Sequence, residues 1–228
     1  MYADPQVNFA SARIERQNPS RGFELLLADC PETAGALFSY RPDEEIFGED
    51  EPAEFVYKVV SGAVRSYKLL PDGRRQIGAF QLPGDLFGLE ASSRHQLTAE
   101  AVVGTKVILF KRSTLESLAT RDVQVAYGLW TAAADSLRCA ESRMLLLGRK
   151  TALERVATFL VEMDERYGKH GRFDLLMSRR DIADYLGLTL ETVCRALAQL
   201  RASGSLRLAS CGRHVEVRRD KLCQMMDG

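Results

Sequence analysis

The stretch of this chain with the clearest chemical capability is residues 178–201, SRRDIADYLGLTLETVCRALAQLR. Within it Leu190, Glu191, Cys194 and Arg195 fall on one face of a helical pattern, and Val193, Leu197 and Leu200 form the opposite, apolar face. An arginine can donate two hydrogen bonds to guanine O6 and N7. A glutamate can accept from cytosine N4, and a leucine can pack on a thymine methyl. A solvated Glu/Arg pair four apart is the plain alternative, and the surrounding residues argue against it. Ser178 followed by Asp181 resembles a capping box with Asp in the usual Glu place. Ile182, Ala183 and Leu186 supply an apolar face, Gly187 a tight turn, and Thr189 a cap for the second helix. That order is the grammar of a helix-turn-helix unit, whose second helix meets base edges with its N-terminal half. Leu190, Glu191, Cys194 and Arg195 are therefore the expected base-reading residues.

Around them, Arg180, Thr189 and Thr192 are placed for backbone phosphates. So is Arg213, in a hairpin over residues 206–217 that would form a wing. Such contacts set register and salt dependence but not sequence. Cys194 lies beside Arg195 and near a helix N-terminus, the kind of setting in which thiols react. Oxidation there would add charge or bulk where phosphates approach, so a redox role is one expectation and a small space-filling residue the other.

Other chemistries find little support. The five cysteines (Cys30, Cys139, Cys194, Cys211, Cys223) are scattered, with no CxxC pair to suggest zinc or iron–sulfur ligation. His95, His170 and His214 are isolated loop histidines, expected to be solvated rather than haem ligands. No nucleophile–base pair or phosphate-binding lysine loop appears, and the turn Pro83-Gly-Asp-Leu-Phe-Gly88 lacks the lysine. The expectation is a protein that is not an enzyme and that carries no cofactor and no metal. No run of about 18 apolar residues suits a membrane span, and the N-terminus lacks the order of a signal peptide, so a cytoplasmic protein with reduced thiols is expected.

The elements that must position the reading face can be read along the chain. With 228 residues, 46% hydrophobic and 27% charged, there is material for two cores. Lysine plus arginine and aspartate plus glutamate balance at 31 each. The balance is uneven, however: residues 149–228 hold 15 basic and 11 acidic side chains, a net of +4, and residues 1–148 a net of −4. A basic C-terminal part suits an anionic partner. Residues 1–22 read as a loose polar arm, followed by a short helical stretch over about Phe23–Leu37. Short strand-like runs separated by glycine and proline turns then suggest a closed or sandwiched β domain, assigned with its flanks to residues 23–117. From about Asp122 to Arg149 turn residues nearly vanish. Trp130, Ala133, Leu137, Ala140, Met144 and Leu147 recur at spacings of three and four, a seam that suits a second helix in a homodimer. Packing of that stripe on the chain's own β domain is the alternative. The linking helix is assigned to residues 118–148 and the DNA-binding part to 149–228, as helices ending in a short β-hairpin.

In this order the parts resemble the CRP/FNR superfamily of bacterial transcription regulators over nearly the whole chain. The resemblance is carried by Tyr57-Lys-Val-Val-Ser-Gly-Ala-Val-Arg65, the turn Pro83–Gly88, the long helix and Leu190-Glu-Thr-Val-Cys-Arg195. Within the superfamily the chain is most similar to the FixK branch, regulators of microaerobic, respiratory or nitrogen-fixation genes. The resemblance implies an α+β fold: an N-terminal β-roll of cupin-like jelly-roll type, a long dimerisation helix and a C-terminal winged helix-turn-helix. It also implies activation through RNA polymerase, with loop Ala91–Gln96 a candidate contact, and a palindrome close to TTGA-N6-TCAA on double-stranded DNA. The family's reading pattern falls on Glu191, Cys194 and Arg195. The nucleotide-binding pattern of the cyclic-AMP members is absent. Leu89 follows Gly88, Glu90 stands one place late, and Gln96-Leu97-Thr98 replaces the Arg-Ser pair that clamps phosphate. Arg94 is nearby but displaced. DNA binding without a cyclic-nucleotide effector is expected, with a ligand-gated regulator as the alternative.

Overall fold

The structure is a computed structural model, and it describes residues 35–168, 170–208 and 213–226, the side chains of Arg149 and Met226 excepted. The arm, most of the expected helix over Phe23–Leu37, Cys30 and Cys211 lie outside the described residues. Where that helix was expected to end, the chain is already a strand. Eight strands come first: β1 (Ala36–Tyr40), β2 (Glu45–Phe47), β3 (Phe55–Ser61), β4 (Val64–Leu69), β5 (Arg75–Gln81), β6 (Leu86–Phe87), β7 (Thr98–Ala101) and β8 (Thr105–Lys111). They form two four-stranded antiparallel sheets, ordered β1-β8-β3-β6 and β2-β7-β4-β5. Val59, Val64, Ala99 and Val107 are fully buried between the sheets. Gly62 connects β3 to β4 at φ +89°, where a Cβ would come within 2.7 Å of the Gly104 carbonyl oxygen, so only glycine fits.

Helix α1 (Arg112–Arg121) leads to the long α2 (Val123–Arg149), whose N-cap Asp122 accepts from the Gln124 backbone N–H. Two extended residues, Lys150 and Thr151, separate α2 from α3 (Ala152–Arg166), which opens on a Thr151/Glu154 capping box. Strand β9 (Arg172–Asp174), helix α4 (Arg179–Leu186) and helix α5 (Leu190–Ala202) follow. Then come β10 (Leu206–Leu208), β11 (His214–Val217) and α6 (Arg219–Met226). The wing is a three-stranded sheet, β10-β11-β9, rather than a lone hairpin. The hairpin does not close the chain either, because α6 packs behind it with Leu222 fully buried. Val215 and Phe173, paired across β11 and β9, and the α3 residues Phe159, Leu160 and Met163 fill the C-terminal core. That core is continuous with β-roll residues Ile77, Phe80 and Leu82.

Candidate nucleic-acid interface

Local sequence explains the α4–α5 unit closely. Ser178 Oγ accepts from the Asp181 backbone N–H at 3.1 Å, and the Ser178 backbone N–H donates to Asp181 Oδ2 at 3.1 Å, completing the capping box. Gly187 ends α4 in the left-handed region at φ 62°. Thr189 caps α5, its hydroxyl accepting from the Thr192 backbone N–H at 3.2 Å. Ile182 and Leu186 of α4 and Val193, Leu197 and Leu200 of α5 are buried together, which fixes the second helix against the first.

The expected reading face is left outward. Glu191 and Arg195 are exposed, and Leu190, Thr192 and Cys194 are half-buried. The Glu191 carboxyl is held below the ordinary glutamate range by hydrogen bonds from its own backbone N–H and the Thr189 hydroxyl. Arg180 and Arg195 add to the effect by charge. Thr189 and Thr192 share a hydroxyl hydrogen bond of 3.0 Å at the helix start. Arg180 and Arg213, from separate elements, line one cleft of about 640 Å³, together with Arg179. The sequence reading passed over Arg179. Its Nη1 donates to Cys194 Sγ at 3.7 Å, tying the first turn of α4 to α5. The adjacent Arg179-Arg180 pair at the start of α4 was the available signal.

On α2 the expected seam is divided. Trp130, Ala133, Leu137, Ala140 and Met144 are exposed, Trp130 at 70% and Met144 at 74%, so they do not pack on the chain's own β domain. Leu147 instead is half-buried against the C-terminal core. Val123 and Tyr127 extend the exposed stripe towards the helix start at the same spacing, and the sequence reading had begun it only at Trp130.

In the β-roll, His95 corrects an expectation. It is not solvated but 1% exposed, stacked on Phe47 with centroids 3.6 Å apart. Tyr57 and Phe87 complete an aromatic cluster between the sheets. Glu90, the carboxylate one place late, is paired with His95 Nδ1 at 3.0 Å. Arg94 donates to the Asp50 carbonyl oxygen, so it too is engaged. His95 Nε2 has no hydrogen-bond partner among the described residues. His214 is exposed and paired with Asp174 Oδ1 at 3.0 Å. Among the described residues no helix is long and apolar enough to cross a membrane.

Two family descriptions match the chain: a Crp-like helix-turn-helix domain over residues 154–225 and a cyclic nucleotide-binding domain over residues 37–122. The nitrogen fixation regulation protein FixK of Azorhizobium caulinodans is 48% identical over 75% of this chain and 71% of its own length. That of Rhizobium meliloti is 37% identical over 91% of each. The solved structure of FixK2 from Bradyrhizobium japonicum is 62% identical. It covers 84% of this chain and 96% of its own, with a TM-score of 0.80.

Proposed function

This chain belongs to the CRP/FNR superfamily, in its FixK-like branch, and on that premise we propose that it is a homodimeric transcription activator of nitrogen-fixation or microaerobic respiratory genes. It reads a TTGA-N6-TCAA-like palindrome and needs no cyclic nucleotide to do so. The observation that carries the reading is the pair Glu191 and Arg195, exposed one turn apart at the N-terminal half of α5. Arginine on guanine and glutamate on the paired cytosine account for the G·C step of each half-site, and Leu190 for a neighbouring thymine methyl. Arg180, Arg213, Thr189 and Thr192 hold the phosphates on either side. The exposed α2 stripe from Trp130 to Met144 supplies the face on which a second copy packs. A parallel pair sets the two reading helices about 34 Å apart, one turn of DNA. RNA polymerase is the further partner, met through β-roll loops such as Ala91–Gln96.

Two features of the β-roll support independence from nucleotide. Phe47, Tyr57, Phe87 and His95 occupy the space between the sheets. Glu90 and Arg94, the side chains nearest in kind to a ribose-phosphate clamp, are committed to His95 and to the Asp50 carbonyl. A ligand-gated regulator is the second reading, favoured by the match of residues 37–122 to the nucleotide-binding family. Fluorescence anisotropy on the palindromic duplex, with and without cyclic AMP and under reducing conditions, separates the two. Tight binding without nucleotide, weakened by about 1–3 kcal/mol in Glu191→Ala or Arg195→Ala, is the expected result. Binding that appears only with cyclic AMP establishes the second reading instead.

A further inference from the structure

Asp181 has a second occupation besides capping α4. Its Oδ2 accepts from the Ser178 backbone N–H and hydroxyl, and its Oδ1 receives two arginines from the distant β-roll. Arg65 Nη1 on β4 donates to it at 3.2 Å and Arg75 Nη2 on β5 at 2.6 Å. Asp181 is 2% exposed and Arg65 6%. Each arginine is anchored elsewhere as well. Arg65 also holds Glu100 at 3.1 Å and Asp43 at 2.6 Å, and Arg75 lies over the Tyr67 ring and donates to Asp184 Oδ2 at 2.9 Å. Gln76 Nε2 adds a hydrogen bond to the Asp184 carbonyl at 2.8 Å. Beneath these polar contacts Phe80 of β5 packs on Tyr185 of α4, with centroids 5.0 Å apart.

The chain between the two bodies is short, and the side chains beyond it carry most of the contact across the boundary. Only Lys150 and Thr151, both extended, join α2 to α3. Arg155 of α3 braces this joint by donating to the Lys150 and Leu147 carbonyls, but neither bond reaches the β-roll sheets. Buried ion pairs are a poor source of net stability, because their desolvation offsets much of the attraction. A placement that leaves one partner buried without the other is, however, strongly penalised. An aspartate receiving two convergent arginines permits a single placement of α4, and α5 is packed rigidly on α4. In that placement Glu191 and Arg195 face outward.

We infer that Arg65 and Arg75 of the β-roll, closing on Asp181 and Asp184 of α4, form an interdomain clamp that positions the reading helix for DNA in the absence of any ligand. The inference rests on α5 being the DNA-reading helix, and it deepens that reading. Where an effector would otherwise have to select one orientation of the DNA-binding part, the chain's own carboxylates and guanidiniums select it. Arg65, Arg75, Asp181 and Asp184 are positioning residues, acting through α4 on Glu191 and Arg195.

The test uses the full chain in three forms: parent, Arg75→Glu, and the charge-exchanged Arg75→Glu/Asp184→Arg. Small-angle X-ray scattering of the DNA-free protein reads the placement of the two bodies, and anisotropy on the palindromic duplex reads its consequence. Arg75→Glu is expected to broaden the scattering distance distribution. If it leaves about a tenth of the molecules docked, it weakens operator binding about tenfold. The exchanged pair is expected to recover both in part, because the carboxylate placed at 75 meets the arginine at 184 but still faces Asp181. If Arg75→Glu proves unfolded by circular dichroism, Arg75→Gln replaces it, with the same direction expected and a smaller size. A single variant with the parent's scattering and affinity overturns the clamp. So does one that binds more tightly, or an exchanged pair that recovers neither property. If the parent itself does not bind the duplex, the DNA reading fails there, and the scattering comparison still decides the clamp.

Discussion

Arg179 and Cys194 meet across the helix-turn-helix, guanidinium Nη1 to thiol sulfur at 3.7 Å. The contact places the thiol between the first turn of α4 and the exposed Arg195, on the side of α5 that faces DNA in the proposed complex. Peroxide would then transfer an oxygen to the sulfur, breaking its O–O bond and releasing water, and leave an oxidised sulfur among groups meant for phosphates. Operator binding by the parent should fall after peroxide treatment and return with a thiol reductant, while Cys194→Ser should bind equally before and after. Equal loss in both proteins removes Cys194 from the account.

Arg180, on α4, and Arg213, just before β11, share one cleft. Arg180→Ala and Arg213→Ala should each weaken binding to specific and random duplexes by similar factors. Each should also reduce the slope of log affinity against log salt by about 1. A salt series on both duplexes checks this, and a loss confined to the specific duplex contradicts a phosphate role.

Leu137 lies mid-way along the exposed stripe of α2, 61% exposed in the single chain. In the proposed homodimer, Leu137→Glu would bury a carboxylate against its own symmetry mate. The cost is about 3 kcal/mol or more, which is roughly a hundredfold in the dimer Kd. Sedimentation equilibrium should find monomers for the variant at concentrations where the parent is dimeric. Parent and variant sedimenting alike would move the dimer seam elsewhere.

In the proposed complex Glu191 accepts from cytosine most strongly when ionised, and its folded carboxyl is held below the ordinary value of 4.5 by the α5 cap and by Arg180 and Arg195. A depressed folded value means that the ionised form is favoured above the ordinary range and is lost only as pH falls through the lower, folded one. Discrimination between the operator and a duplex with the G·C step replaced should therefore stay flat from pH 7 down to about 5. Discrimination that declines already near about pH 6 would show that the glutamate is not the group reading that step.

The helix-turn-helix was legible because its signals are local. Ser178, Asp181, Gly187 and Thr189 stand at fixed offsets, and the apolar positions Ile182, Leu186, Val193 and Leu197 repeat at helical spacing. The exposed apolar stripe on α2 was legible for the same reason, although Val123 and Tyr127, which extend it, lie outside the pattern from Trp130 to Leu147. What stayed hidden depends on residues far apart in sequence. Arg65 and Arg75 reach an aspartate 116 and 106 positions away, and nothing near any of them advertises the meeting. His95 reads as a loop residue because its neighbours are polar. Its burial follows from Phe47 on another strand lying flat against the ring. Strand β9 is three residues long, too short to show an alternation, and it exists because β11 offers it an edge. Helix α6 likewise draws its anchor, Leu222, into a core built by α3.

Phe80 and Ile77 of the β-roll share one continuous core with Phe159, Tyr185 and Leu186 beyond the Lys150–Thr151 joint. The boundary is therefore a poor place to cut. A fragment starting at Thr151 would present Tyr185 and Phe159 to water, and a fragment ending at Lys150 would present Phe80, two sticky surfaces made from one interior. Exchange of reading heads between such regulators by swapping whole C-terminal segments would mismatch this seam. Replacing only the outward residues of α5 would leave it untouched, and that is the narrower graft by which the chain's specificity could be changed.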